Sequence, residues 1–388
     1  MENVITNNNE QLSLNTNERH YGLDLLLIIC MVMVLFRHVS HYAYQAGIIA
    51  DGSPDFYIRL ITNGFSNFLV NCFILISAFF LVGQKFKLSR IFKLQLIVSF
   101  WLIISAIILF SINPPQGFTW EYLIPFFPVT LNAIWFYTCY VAMCLVSPLL
   151  NLAIRHMNKN IHLLTCILLS VLAVLINNLL GFTNNFSFGN GHSFPWFIVL
   201  YFIGAYLKLY VNSKNIKMWL LIVIYLLSCG LLIGDWFLLN YLKGIPGFFA
   251  EYVNPDHPFD YNSIFTLVSS ISIFLIFYKI KVRNKTCQKA IKFMAPHMFA
   301  IYILDRDNIR NLQCDFAFQK IVSKIPSPIT QVLLVVIMLF ILRVLLDVCR
   351  SFLFKLFESR KWYNNFIKKL DSFPYRVIDR LNFKEKTI

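Results

Sequence analysis

Acid is scarce in this chain. Asp and Glu number 19 in 388 residues against 34 Lys and Arg, and charged residues of both signs make up 14%, where an ordinary soluble domain carries about 25%. So few charges cannot clothe a soluble globule of this length. Patterned cysteine is also missing. Nine cysteines are scattered, mostly within apolar runs, without a Cys-x-x-Cys pair or regular spacing, which leaves no basis for a disulfide framework or a metal site. Residues 1–20, MENVITNNNEQLSLNTNERH, hold neither a basic n-region nor an apolar h-region, so no cleavable signal peptide is expected and the first helix must direct insertion. The segment Phe188–Ser193, FGNGHS, has two glycines but no flanking strand and helix, and a phosphate loop is unsupported. The formal charge of +15 is spread over short clusters between apolar runs and in the tail, so nucleic acid is not an expected partner.

What the chain has in quantity is apolar surface: 58% hydrophobic and 16% aromatic residues, with a mean hydropathy of +0.63. These values imply an all-α fold, a polytopic integral membrane helical bundle. A span needs about 20 apolar residues. About ten transmembrane helices are expected, near 21–43, 64–83, 91–112, 131–152, 161–181, 194–212, 217–240, 260–280, 290–305 and 328–350. Bases concentrate in alternate connections, as with Lys85, Lys87 and Arg90, or Lys281, Arg283, Lys285 and Lys289, whereas 113–130 and 182–193 have none. By the positive-inside rule both termini are expected in the cytosol, with the protein in the plasma or inner membrane. The expected organisation is a polar cytosolic segment over 1–20, one membrane domain over 21–350, and a basic amphipathic tail over 351–388. Phe352, Phe354, Trp362 and Phe366 suit that tail to an anionic leaflet.

Ionisable groups inside apolar runs are costly and mark function. The first run, YGLDLLLIICMVMVLFRHVSHYAY, has Asp24 near one end and Arg37, His38 and His41 at the other. The 14 residues from Asp24 to His38 return to within about 40° of one helix face, roughly 21 Å further along the axis. One stripe is therefore expected to carry Asp24, Leu27, Met31, Leu35, His38 and His41 or Tyr42. His38 is the candidate general base, since histidine titrates near neutral pH. Arg343 and Asp347, spaced i, i+4, are expected to pair. Trp135 and other aromatics near helix ends suit interfacial belts, and some of them suit a sugar face. Outer loops also hold His192, His257 and most of the non-terminal acids.

Taken in order, several apolar motifs resemble the membrane acyltransferase family 3, whose members include O-acetyltransferases of bacterial surface polysaccharides. They are YGLDLLLIICMVMVLFRH ending at His38, NCFILISAFFLVG with Ser77 and Ala78, AIWFYTCYVAMCLVSPLLN, SFPWFIVLYFIGAYL, NSIFTLVSSISIFLIFYKIKVRN and FAIYIL. The resemblance implies transfer of an acyl group, commonly acetyl from acetyl-CoA, to a sugar hydroxyl of an envelope polysaccharide or its lipid-linked oligosaccharide precursor. Acyl-CoA is then a donor substrate rather than a bound cofactor. His38 and the retained Asp24 are the implied catalytic residues. Lys85, Lys87, Arg90 and Lys93 are placed to meet the CoA phosphates, and Arg37, His41, Trp135, Asp305 and Arg310 are further implied substrate contacts. The chain departs from the family pattern at Leu27, where an Arg is usual, and at Asp305, where many relatives have His. Either another base such as Arg37 substitutes or activity is lost. A glycan exporter or flippase and a glycan polymerase are the competing readings, the last disfavoured by outer loops poor in base.

Overall fold

The computed structural model describes residues 19–112, 114, 120–174, 188–246 and 253–385, and every regular element among them is helical. The helices are α1 (Tyr21–Gln45), α2 (Pro54–Phe65), α3 (Leu69–Leu81), α4 (Leu88–Ile112), α5 (Trp135–His156), α6 (Lys159–Val171) and α7 (Phe194–Tyr210). There follow α8 (Met218–Lys243), α9 (Ile264–Lys279), α10 (Lys285–Met294), α11 (Met298–Leu304), α12 (Asp307–Phe316), α13 (Pro328–Glu358) and α14 (Lys361–Glu385). Polar residues set many of the starts. Ser53 and Ser327 cap helices whose first residue is proline, and Asn158, Ser263 and Asn284 accept hydrogen bonds from first-turn amides.

Among the described residues, seven helical stretches are long and apolar enough to cross a membrane: α1, Pro54–Leu81, α4, α5, α8, His257–Lys279 and α13. The ten expected spans need correction in three places. The second, near 64–83, contains a helical break between α2 and α3 at Ser66–Phe68. The fifth and sixth are shorter apolar helices, Lys159–Val174 and Phe194–Tyr210, and the expected end of the fifth lies outside the described residues. The ninth is broken: a 3-10 turn over Ala295–His297 separates α10 from α11, because Pro296 lacks an amide proton and its ring obstructs a continuous helix. α13 runs on past the boundary expected at 350 to Glu358. Residues 1–18 of the expected amino-terminal segment lie outside the described residues.

With no water-driven force between helices in lipid, close approach and hydrogen bonding hold a bundle together. Gly204 of α7 shows the approach: a Cβ there would meet the Ala78 Cβ at 2.7 Å and the Leu75 carbonyl oxygen at 2.9 Å. Buried polar side chains bridge the same helices. Tyr201 donates to Asn151 (2.8 Å), whose amide donates to the Leu81 carbonyl (3.4 Å). Trp196 donates to Asn71 (2.9 Å), which donates to the Tyr261 carbonyl (2.8 Å). At the end of the bundle bearing Lys85, Lys87 and Arg90, α14 lies on the start of α4. There Asp371 accepts from the Ser89 amide (2.8 Å) and hydroxyl (2.9 Å), and Phe366 packs on Phe92.

Candidate active site

α1 is the wall of the main cavity. Leu27, Met31, Val34 and His38, at i, i+4, i+7 and i+11, line a space of about 280 Å³. α3 contributes Phe73 and Ser77, α5 contributes Trp135 and Tyr140, and the broken ninth segment contributes Met298 and Phe299. Leu35, expected on this stripe, is instead fully buried. Most of the wall is apolar, and Arg37, His38, Trp135, His192 and Tyr261 gather at one end.

His38 has a partner the sequence did not suggest. Its Nδ1 makes a short hydrogen bond to Asp305, the first residue after α11. The His38 side chain is 40% exposed and the Asp305 side chain 1%, so the imidazole is reachable and the carboxylate is not. A carboxylate accepts only, which assigns the proton to Nδ1 and leaves Nε2 as the lone-pair nitrogen. Asp305 is held in turn by Arg343 of α13, at 2.6 Å with both side chains almost wholly buried. Arg343 also donates to Gln313 of α12 (2.7 Å from NH2), and Arg310 donates to the Asp305 backbone carbonyl (3.3 Å). Neither Asp305, which stands behind the histidine, nor Arg310 is among the residues lining the cavity.

Arg37 is fixed just as tightly. Its guanidinium donates to Asn67 Oδ1 (2.6 Å). The Asn67 amide donates to Thr266 Oγ1 (2.6 Å) and the Phe259 carbonyl (3.0 Å), so its oxygen is left for the arginine. Arg37 also lies over the Tyr261 ring, 5.9 Å from its centroid. That ring and Trp135 flank His192, with centroids 4.7 and 4.5 Å away. The loop presenting His192 is seated by Gly191, whose φ of +84° favours glycine and where a Cβ would lie 2.6 Å from that of Tyr261. Tyr261 returns a backbone hydrogen bond to Asn190 (3.1 Å). Burial holds the His192 imidazole below its ordinary range.

The remaining sequence candidates fall elsewhere. Asp24 pairs with Arg19 at 2.5 Å and does not line the cavity, the rise of the helix setting it roughly 21 Å from His38. His41 Nδ1 lies 3.3 Å from Arg59, away from the cavity lining. Lys85, Lys87 and Arg90 line a smaller depression at the basic end, while Lys93 sits outside it, 4.0 Å from Glu358. Arg343 and Asp347 do not pair with each other. Asp347 instead accepts from Arg350 (2.5 Å), Trp101 (3.0 Å) and His297 (2.6 Å), fastening α13 to α4 and the 3-10 turn.

The arrangement offers a general base with a buried orienting carboxylate, a fixed cation beside it and aromatic faces around both. Residues 20–348 match the family described as the acyltransferase domain. No curated protein and no solved structure matches the chain.

Proposed function

The chain belongs to this acyltransferase family, and from that premise we propose that it moves an acyl group from acyl-CoA to a sugar hydroxyl of a cell-envelope glycan or its lipid-linked precursor. The observation that carries the reading is His38, reachable from the cavity and backed by the buried Asp305–Arg343 pair. His38 Nε2 takes the proton of the acceptor hydroxyl as its oxygen attacks the thioester carbonyl. The oxyanion of the tetrahedral intermediate forms beside the Arg37 guanidinium, a permanent cation already oriented by Asn67. When the carbon–sulfur bond breaks, the imidazolium returns its proton to the leaving thiolate, and the buried carboxylate stabilises the imidazolium in between.

Leu27 makes the cavity apolar at a position where relatives carry a cation; Arg37 supplies the charge here. Trp135 and Tyr261 offer ring faces to the acceptor sugar. Lys85, Lys87 and Arg90, at the end assigned to the cytosol by its bases, meet the anionic donor. Mass spectrometry of surface glycans from cells with and without the protein tests this. A loss of acyl mass per glycan repeat in the deficient cells is expected; unchanged acylation, or loss of the glycan altogether, speaks against it.

A further inference from the structure

The cavity and the basic depression are lined by residues one turn apart on α5. Tyr140 lines the cavity, and Cys144, one turn further along α5, lines the depression with Lys85, Lys87 and Arg90. Arg90 lines the depression beside Cys144. Ser77 also faces the cavity. Tyr140 lies five residues beyond Trp135, about 7.5 Å further from the His38 end; Ser77 lies eight residues beyond Leu69, about 12 Å along α3. Around them the cavity wall is Leu27, Met31, Leu94, Met298 and Phe299. Besides Tyr302, the polar side chains of the lining are those of the Arg37–His38 end and this hydroxyl pair.

A coenzyme A thioester has the matching sequence of parts: phosphates, an arm with two amides, then the thioester. An amide drawn into an apolar passage without a partner is costly, and tyrosine and serine hydroxyls each donate and accept. We propose that Tyr140 and Ser77 form a polar waist that hydrogen-bonds the outer amide of the acyl-CoA donor's arm. The phosphates then rest at Lys85, Lys87 and Arg90 and the thioester reaches towards His38. This rests on the acyl-CoA reading above and assigns the donor's route to named residues.

The test uses full-length protein in lipid nanodiscs and two donors, acetyl-CoA and acetyl-N-acetylcysteamine, which keeps the thioester and the nearer amide but lacks the outer amide and the phosphates. Tyr140→Phe should raise KM for acetyl-CoA about five-fold, the equivalent of about 1 kcal/mol for one neutral hydrogen bond, with kcat little changed. KM for the truncated donor should stay as in wild type, and Ser77→Ala should behave in the same way. Calorimetric binding of CoA, a readout independent of turnover, should weaken by a similar factor. Equal KM rises for both donors, or unchanged CoA affinity in both variants while Arg90→Gln weakens it, overturns the waist and leaves the acyl-CoA reading intact. Wild-type protein that neither binds CoA nor uses either donor overturns the reading itself.

Discussion

Replacing Asp305 by Asn changes one atom and two functions. The buried carboxylate serves His38 on one oxygen and Arg343 on the other. An asparagine whose oxygen stays with Arg343 turns its NH2 towards His38 Nδ1, so the imidazole must carry its proton on Nε2. The nitrogen facing the cavity then donates and cannot accept the acceptor's proton. Loss of a positioned general base costs about 10²- to 10⁴-fold in rate. Arg343, with 0% side-chain exposure, keeps its charge without a counter-ion, and breaking such a pair from one side costs about 3–5 kcal/mol. The two effects separate in a double variant: Asp305→Asn with Arg343→Met removes the stranded charge and should regain most of the stability without regaining rate. Initial acyl-transfer rates and unfolding midpoints in the same detergent measure both. A single variant whose rate stays within about three-fold of wild type, against the loss expected of a base, refutes the tautomer reasoning. A double variant as unstable as the single one refutes the assignment of the ion pair.

Three further outcomes follow from the geometry. Burial lowers the His192 pKa, so the unfolded chain binds a proton the folded one refuses. Its contribution to stability is complete above the ordinary histidine value near pH 6.5 and is lost as pH falls below it, at up to about 1.4 kcal/mol per pH unit; unfolding midpoints of His192→Gln should fall less steeply with acid than those of wild type. Trp101→Phe removes a donor from the buried Asp347 carboxylate and should cost about 1.5–3 kcal/mol in chemical denaturation. Asp371→Ala removes the side chain that caps the start of α4 from α14, a loss of about 0.5–2 kcal/mol for a cap, and limited proteolysis should release the tail faster.

Much of this was legible in the sequence where an apolar run carried a residue that lipid penalises. His38 and Arg37 stood out for that reason, and both end up at the cavity. Partners distant in the chain did not. Asp305 is 267 residues from His38, and only the turn after Pro296 and α11 brings it there. Asp24 shared the helix face, but the helical rise already set it about 21 Å from His38, and it does not line the cavity. The i, i+4 spacing of Arg343 and Asp347 pointed to a local pair, yet such a pair is worth about 0.2–0.5 kcal/mol. On a helix enclosed by neighbours, each charge found a fuller set of partners on other helices. The proline break in the ninth segment had a visible cause; the break at Ser66–Phe68 had none of that kind. It places Asn67, which orients Arg37.

The central claim is that His38 is the general base of acyl transfer. It is tested most directly by glycan mass spectrometry on cells lacking the protein and supplied with the His38→Ala variant at wild-type abundance. The account predicts surface glycan without base-labile acyl groups, while the wild-type gene restores them. Acyl groups at the parental level in the His38→Ala cells contradict it.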